Sequence, residues 1–286
     1  MLNIIANLKS GQGRGLRNLK KIVKFCLQNN VPYSLYLTNK RGHATELANT
    51  LTQNGGTIVA LGGDGTFHEV LNGIADIDNT TIGFIPSGRG NDFVRALGCS
   101  LDPIVALKDI MSGQTQQIDY IQIGDKRCLN VAGTGLDIDV LERVAGKTNK
   151  ISYITSLVHC LKHFQPYKIT VTIDGVTHSY DCIMVGVCNG IAIGGNIRIS
   201  PLSKLNDGKL DVVAITMPQS GKLLKYLPKV IKGQHMNLPI TTHFLCDEVL
   251  VTSEKPVQID GEIYHNMNLD CKIVKGKLRT FVVSNK

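Results

Sequence analysis

The chain has 286 residues, 43% of them hydrophobic, which allows one large or two ordinary domains around a real core and excludes a disordered or fibrous chain. The formal net charge of +8 favours anionic partners: nucleotide phosphates, acidic lipid surfaces or nucleic acid. With no Trp and 5% aromatic residues, base stacking on nucleic acid is disfavoured, and no helix-turn-helix or zinc-finger pattern is visible.

The predicted elements begin with a short apolar run, Leu2–Asn7, followed by Ser10-Gly11-Gln12-Gly13. The start of the chain, MLNIIANLKSG, lacks a basic leader and is interrupted by Lys9 and Gly11, so no signal peptide is expected. Residues 16, 19, 22, 23, 26 and 27 are apolar with lysines between them, a helical period. Tyr33–Leu37 reads as a strand, Ala44–Gln53 as a helix ended by Asn54-Gly55-Gly56, and Thr57–Leu61 as a strand. Phe67–Ala75 reads as a helix and Thr81–Ile85 as a strand. This β-α-β-α rhythm predicts a mostly parallel sheet covered by helices.

From about Asp119 the rhythm changes. Tyr120–Ile123, Cys128–Val131, Ile169–Ile173, Ser179–Val187, Leu210–Thr216, Glu248–Thr252, Val257–Ile259, Met267–Ile273 and Leu278–Val283 read as strands. Turn signals separate them, among them Asp174-Gly175, Asp260-Gly261 and Lys275-Gly276-Lys277. Many short strands with one helix, at about Ile151–His163, predict an antiparallel β-sandwich. The expected domains are 1–118, α/β, and 119–286, all-β. The eight cysteines form no Cys-x-x-Cys pair and are expected to be reduced and buried in a cytosolic protein. No apolar stretch approaches the roughly 18 residues of a membrane span, so a lipid substrate would be met from outside the bilayer.

The most informative run is Thr57–Gly73, TIVALGGDGTFHEVLNG. A strand ends in Gly62-Gly63-Asp64-Gly65-Thr66 and a helix begins at once, with Thr66 and Glu69 at capping-box spacing. Backbone amides at a helix N-terminus, beside glycines that block nothing, make an anion site. It is neither a Walker loop nor a dinucleotide fingerprint: Gly11-Gln12-Gly13-Arg14-Gly15 misses the latter's spacing by one residue. An acid beside a phosphate turn, Asp64, is expected to need a metal or a cationic partner. The plain alternative is a β-turn-α connection.

The same run, with His68-Glu69-Val70-Leu71-Asn72-Gly73, resembles the nucleotide-binding signature of the diacylglycerol kinase catalytic-domain family. Three further blocks follow in the family's order. Ile85-Pro86-Ser87-Gly88-Arg89-Gly90-Asn91-Asp92-Phe93 resembles its Pro-x-Gly-Thr-x-Asn-Asp-Phe segment, with Arg89 where relatives often carry Thr. Asn189-Gly190 through Leu205-Asn206-Asp207-Gly208-Lys209-Leu210-Asp211 resembles its second-domain signature, and Asp260-Gly261-Glu262 its Asp-Gly-Glu. His68 replaces an Asn common in bacterial diacylglycerol kinases and is more like sphingosine kinases.

The resemblance implies an α/β nucleotide-binding domain, a β-sandwich domain and an active site in the cleft between them. It implies ATP and magnesium as cofactors. Asn7, Lys9, Ser10, Gly11, Thr38, Gly62, Gly63, Asp64, Gly65, Thr66, Phe67, His68, Glu69, Gly88, Arg89, Asn91 and Asp92 take the nucleotide-contacting positions. Asp64, Asp92 and Asp119 take those of the catalytic magnesium network, and Asp207 with the backbone carbonyls of Lys204 and Lys209 those of a structural magnesium. Glu262, with Asp260 beside it, takes that of the general base. The implied activity is phosphorylation of a lipid hydroxyl, diacylglycerol first. Sphingoid base, ceramide, monoacylglycerol and undecaprenol are alternative acceptors, and a non-catalytic nucleotide-binding regulator is the alternative of another class. Expected partners are ATP and a lipid at the inner face of the membrane, not nucleic acid, with a homodimer left open. Lys222–Gly233, KLLKYLPKVIKG, has lysines at helical spacing and could lie on an anionic leaflet. The preferred reading is a core-facing helix with a solvated lysine edge.

Overall fold

The computed structural model describes residues 1–144, 150–218 and 225–283. The chain divides into two compact units: Met1–Tyr120 together with the residues from Lys275 onward, and Ile121–Val274.

The first unit runs β1 (Leu2–Ala6), α1 (Ser10–Gln28), β2 (Tyr33–Leu37), α2 (His43–Leu51), β3 (Gly56–Gly62), α3 (Asp64–Gly73), β4 (Thr80–Pro86), α4 (Asp92–Ala96), α5 (Pro103–Met111) and most of β5 (Thr115–Ile123). Its strands are parallel in the order β2-β1-β3-β4. Helices cover both faces of such a sheet, so inner strands are apolar without alternation: Ile4, Ile5 and Ala6 in β1 and Ile58–Leu61 in β3 are fully buried. Helix α1 turns Leu19, Ile22 and Cys26 inward, a three-to-four spacing, while Lys20, Lys21 and Lys24 face water. Arg279 and Thr280, from the end of the chain, pair in parallel with Thr81 and Ile82 of β4, and Phe281 joins the core beside Ile85 and Ile110. The tail assigned to the second domain from sequence is thus part of the α/β unit, because its apolar residues complete that sheet.

Two helices of this unit are absent from the sequence reading. Helix α5 carries a legible start, since Asp102 accepts from the amides of Ile104 (2.8 Å) and Val105 (3.2 Å) and Pro103 fills the first position. Helix α4 is a five-residue turn, too short for a periodic signal.

The second unit runs β6 (Lys126–Cys128), β7 (Val131–Gly135), α6 (Leu136–Val144), α7 (Lys150–His163), β8 (Tyr167–Ile173), β9 (Val176–Cys188), β10 (Leu210–Thr216), α8 (Leu227–Ile231), β11 (Thr241–Cys246), β12 (Glu248–Ser253), β13 (Val257–Ile259), β14 (Glu262–Tyr264) and the first part of β15 (Leu269–Phe281). Among the described residues its strand pairings are antiparallel. Strand β9 organises the unit. Its first half alternates and pairs with β8, whereas Cys182–Cys188 lies between β7 and β10 and is buried on both faces. One face joins a core with Val171, Val212 and Leu269. The other, carrying Ile183 and Met184, packs with Leu136, Val140, Ile199 and Ile215. The sandwich therefore has a helical cover that the sequence reading limited to one helix.

Two strand assignments change. Cys128–Val131 is not one strand: β6 ends at Cys128 and β7 begins at Val131. Lys275-Gly276-Lys277 is not a turn. Strand β15 continues through it with Gly276 at φ +59, and the Gly276 amide donates to Asp119 Oδ1 at 2.7 Å. All eight cysteines are free thiols. Among the described residues no helix is long and apolar enough to cross a membrane. The lysine-rich segment lies outside the described residues at 219–224; of the rest, Leu227 and Val230 are half-buried and Lys225 and Lys229 exposed.

Candidate active site

In the first unit, β1 connects by α1 to β2 on one side, while β3 connects by α3 to β4 on the other. Connections that diverge from adjacent strands leave a crevice at their carboxyl ends, where open α/β sheets bind ligands. The Asn7–Gly11 segment leaves β1 there and Gly62–Thr66 leaves β3 there. Thr38 follows β2 and Ser87–Gly88 follows β4.

Backbone hydrogen bonds lock this rim. The Asn7 amide donates to Leu61 O (2.9 Å), and the Ser87 and Gly88 amides both donate to Gly62 O (2.6 and 3.1 Å). Asn7 Nδ2 donates to Thr66 Oγ1 at 3.1 Å, and the Ser10 and Ser87 hydroxyls meet at 2.6 Å. Two close approaches require glycine. A Cβ on Gly11, already at φ +56, would stand 2.0 Å from Ser87 O; one on Gly63 would stand 2.9 Å from Gly88 Cα. With no side chains between them, the two turns lie against each other at the N-terminus of α3, whose first amides have no intrahelical acceptor.

Asp64 does not stand alone beside a metal. Its carboxylate accepts the Asn91 amide at 2.7 Å (Oδ2) and the Phe93 amide at 3.3 Å (Oδ1), tying the β4–α4 loop to the glycine turn. Asn91 sits at φ +52 and donates its side-chain amide to Gly88 O. Asp92 is buried, and it and Asp64 each bring an oxygen to 3.1 Å from where a Cβ on Gly90 would be. Two carboxylates at one glycine suit a hydrated hard cation held through water. Asp119 is buried elsewhere, engaged with the Gly276 amide. Among the described residues no group of three or more His, Cys, Asp or Glu is placed to hold a metal.

Three of the expected nucleotide-contacting side chains point away from the turn. Phe67 is fully buried and packs edge-on against Phe84 at 5.2 Å, and His68 is buried beside Asn72. Glu69 accepts the amides of Gly42 (2.9 Å) and Ala44 (3.2 Å), so it caps α2. The expected capping box is therefore absent. Helix α3 begins at Asp64, which makes Thr66 its third residue, and its hydroxyl serves Asn7 instead. Lys9 and Arg89 are exposed at the rim. Sequence reasoning passed over Arg14, whose Nη1 donates to Gly88 O at 2.7 Å, and Asn18, whose Nδ2 donates to Pro86 O at 3.0 Å. Both lie in the run after Gly13, where glycine spacing drew attention from the polar side chains.

In the second unit, Asp260 and Gly261 form the two-residue turn of the β13–β14 hairpin, at φ +51 and +88, with Ile259 paired to Glu262. Positive φ at both positions is the turn that matches strand twist. The Asp260 carboxylate accepts the amides of Leu129 (Oδ2) and Asn130 (Oδ1), each at 2.9 Å, and the Cys128 thiol at 3.1 Å. Burial, with the Asp260 charge second, pushes that thiol well above its usual pKa. Asp260 thus fastens the hairpin to the β6–β7 loop, and Glu262 follows it, half-buried. Asp207 is exposed, its Oδ1 accepting the Lys209 amide at 3.1 Å, while Lys209 Nζ pairs with Asp247 at 2.8 Å.

Residues 1–123 match the diacylglycerol kinase catalytic domain, and residues 130–282 match the YegS C-terminal NAD kinase beta sandwich-like domain. A diacylglycerol kinase of Bacillus subtilis (strain 168) is 28% identical over 91% of this chain and 88% of its own length. One from Staphylococcus saprophyticus is also 28% identical, over 91% and 88%. A crystal structure of a diacylglycerol kinase from Bacillus anthracis covers 98% of this chain and 96% of its own with a TM-score of 0.76 at 24% identity, a likeness of fold.

Proposed function

Because this chain belongs to the diacylglycerol kinase catalytic-domain family and is a lipid kinase, we propose that it transfers the γ-phosphoryl group of ATP to the free hydroxyl of a diacylglycerol, giving phosphatidic acid and ADP. The observation that carries the nucleotide half is the glycine contact, Gly63 against Gly88, with Asp64 holding both turns. Phosphoryl transfer is mostly positioning and charge neutralisation. Amides from a rigid turn supply both without reorganising. Lys9 and Arg89 stand exposed at the same rim as cations for the outer phosphates. Magnesium, when bound with the nucleotide, would neutralise phosphate oxygens and be held by Asp64 and Asp92. Asp207, with the carbonyls of Lys204 and Lys209, is assigned a separate structural magnesium.

Glu262 is assigned the base. The lipid O–H bond breaks as its proton passes to the Glu262 carboxylate. The oxygen bonds to phosphorus and the bond to the β-phosphate oxygen breaks. Asp260 is a positioning residue, since its carboxylate already has three protein donors. The net charge of +8 supports a meeting with acidic lipid surfaces from the water side, at the inner face of the membrane.

The test is a panel of acceptors with labelled ATP and magnesium: diacylglycerol, monoacylglycerol, sphingosine, ceramide and undecaprenol. Diacylglycerol should give the highest kcat/KM, and Glu262→Gln should lower kcat about 10²–10⁴-fold with ATP affinity retained. A higher kcat/KM on another acceptor would replace diacylglycerol, and normal turnover by Glu262→Gln would remove the base assignment.

A further inference from the structure

One face of the first unit is covered over β4, β3 and β1 but not over β2. Helix α5 lies over β4, where a Cβ on Gly83 would stand 2.7 Å from Ile110 Cδ1. Helix α1 lies beside α5, with Lys108 Nζ 5.9 Å from the centre of the Phe25 ring. In the strand order β2-β1-β3-β4, the flank of α1 opposite Phe25 therefore faces the β2 edge. Helical spacing puts Leu16, Lys20, Val23 and Leu27 on that flank. Leu35 and Leu37 of β2 stand in register with Ile4 and Ala6, which join the core under α1. Residues in register share a face of the sheet, so these two leucines point to the α1 side. They stay open to water, Leu35 at 37% and Leu37 at 45%, as do Leu16 at 41% and Leu27 at 67% on the helix. An open groove of about 440 Å³ follows this side of α1, lined by Leu19, Lys20, Val23, Lys24, Leu27 and Gln28.

The charge around the groove has one sign. Residues 1–45 contain eight Lys or Arg and no Asp or Glu. Arg17, Lys20 and Lys24 are exposed along the outer rim. Contiguous exposed apolar surface rimmed by polar groups marks an interaction site, and this rim selects an anionic occupant.

We propose that this groove docks an acidic amphipathic helix of a partner protein, laid beside α1 over β2. The shape selects a helix. The leucines of β2 form a floor one helix layer, about 10 Å, below the outer side of α1. A flat lipid leaflet resting on α1 does not reach that floor, whereas a helix fills the step and buries floor and flank together. The charge disfavours a second copy of this chain, because a twofold contact through this face would set the Lys20 and Lys24 ammonium groups of both copies against each other. Acidic side chains on the partner helix would instead meet Arg17, Lys20 and Lys24, while its apolar side meets Leu27, Leu35 and Leu37.

The test reads binding apart from turnover. The protein has no tryptophan, so a peptide carrying one reports its own binding by fluorescence anisotropy. The probes are two designed helical peptides of about five turns, each with leucines and one tryptophan on one face. The opposite face is glutamate in the first and lysine in the second. At low salt the glutamate peptide should bind at least tenfold more tightly than the lysine peptide. Leu35→Ser with Leu37→Ser, checked for native circular dichroism, should weaken it about tenfold through lost apolar burial. Leu245→Ser, at a 60% exposed site in the second unit, should leave it unchanged. Lys20→Glu with Lys24→Glu should reverse the preference between the two peptides. Binding of neither peptide, or equal binding to the Leu35/Leu37 and Leu245 variants, overturns the proposal. Phosphatidylglycerol vesicles and sedimentation equilibrium test the other occupants, and neither reading should differ between wild type and the Leu35/Leu37 variant. A tenfold loss of vesicle binding in that variant would make the groove a lipid face, and loss of a wild-type dimer would make it a contact between copies; either overturns the partner helix.

Discussion

The glycine turn of the first unit and the buried start of α6 in the second treat carboxylates in opposite ways. Asp64 and Glu69 each accept two backbone amides, so their charges are matched by protein donors and serve to fix loops. Asp137 is more deeply buried, and burial outweighs the amides of Asp137 and Ile138 and the Gln258 side chain that favour its charged form. The contrast teaches what burial does to an acid. An acid that accepts amides fixes loops, whatever ion or ligand its remaining lone pairs meet. An acid whose burial outweighs its donors is costly to the fold in its charged form. Asp260 belongs to the first kind although it lies in the second unit, with three donors closing on its carboxylate.

The sharpest way to break this comparison is the pH dependence of stability at Asp137. Burial pushes its folded pKa up to about 7, above the ordinary carboxylate value of about 3.9. The folded state then binds more protons than the unfolded state between those values, and stability falls as pH rises through them. The favourable contribution is fully present below about pH 4 and lost by about pH 7. Three units correspond to about 4 kcal/mol. Asp137→Asn, neutral throughout, should be the more stable protein at pH 8 and lose most of that advantage at pH 4.5, read as the urea midpoint at each pH. Equal pH dependence in the two proteins would show that Asp137 is charged and paired after all.

The next largest effect separates Asp260 from Glu262. Asparagine tolerates the left-handed backbone at position 260 but cannot accept from both Leu129 and Asn130 with a negative charge. Asp260→Asn should cost about 2 kcal/mol, the penalty for a buried amide left unsatisfied. Under conditions where the variant is folded, its kcat should fall less than tenfold, far less than that of Glu262→Gln. An equal loss in the two variants would make Asp260 a reacting group.

Much of the fold was legible because each unit has its own period. Tyr33–Leu37, Leu210–Thr216 and Val257–Ile259 fall at the residues where the sequence reading put them. Their turn residues and alternation or apolar runs are local signals. The failures are non-local. Lys275-Gly276-Lys277 has the composition of a turn, yet β15 passes through it because the Asp119 carboxylate takes the glycine amide from across the sheet. The glycine turn itself was visible as a motif. What holds it was not, because the partners of Asp64 and Glu69 lie about 25 residues away in sequence, in the loops that they fix. Asp137 was invisible for another reason. In LDIDVLERV it reads as an ordinary helix acid, and only the packing of β9 against the helices makes its position apolar.

The smallest predicted effect is the cleanest test of that lesson, because family resemblance and geometry disagree about Glu69. Resemblance puts it among the nucleotide contacts. The structure uses it as the missing cap of α2, whose own N-cap residue, Gly42, has no side chain to offer. Glu69→Gln keeps one acceptor and turns the other into a donor facing an amide. It should lower stability by about 1 kcal/mol, as the loss of a cap does, measured by urea denaturation. The KM for ATP should stay within twofold. A tenfold rise in that KM without a change in the urea midpoint would place the carboxylate on the nucleotide, and the amide-saturated acids of the first unit could then no longer be read as architecture alone.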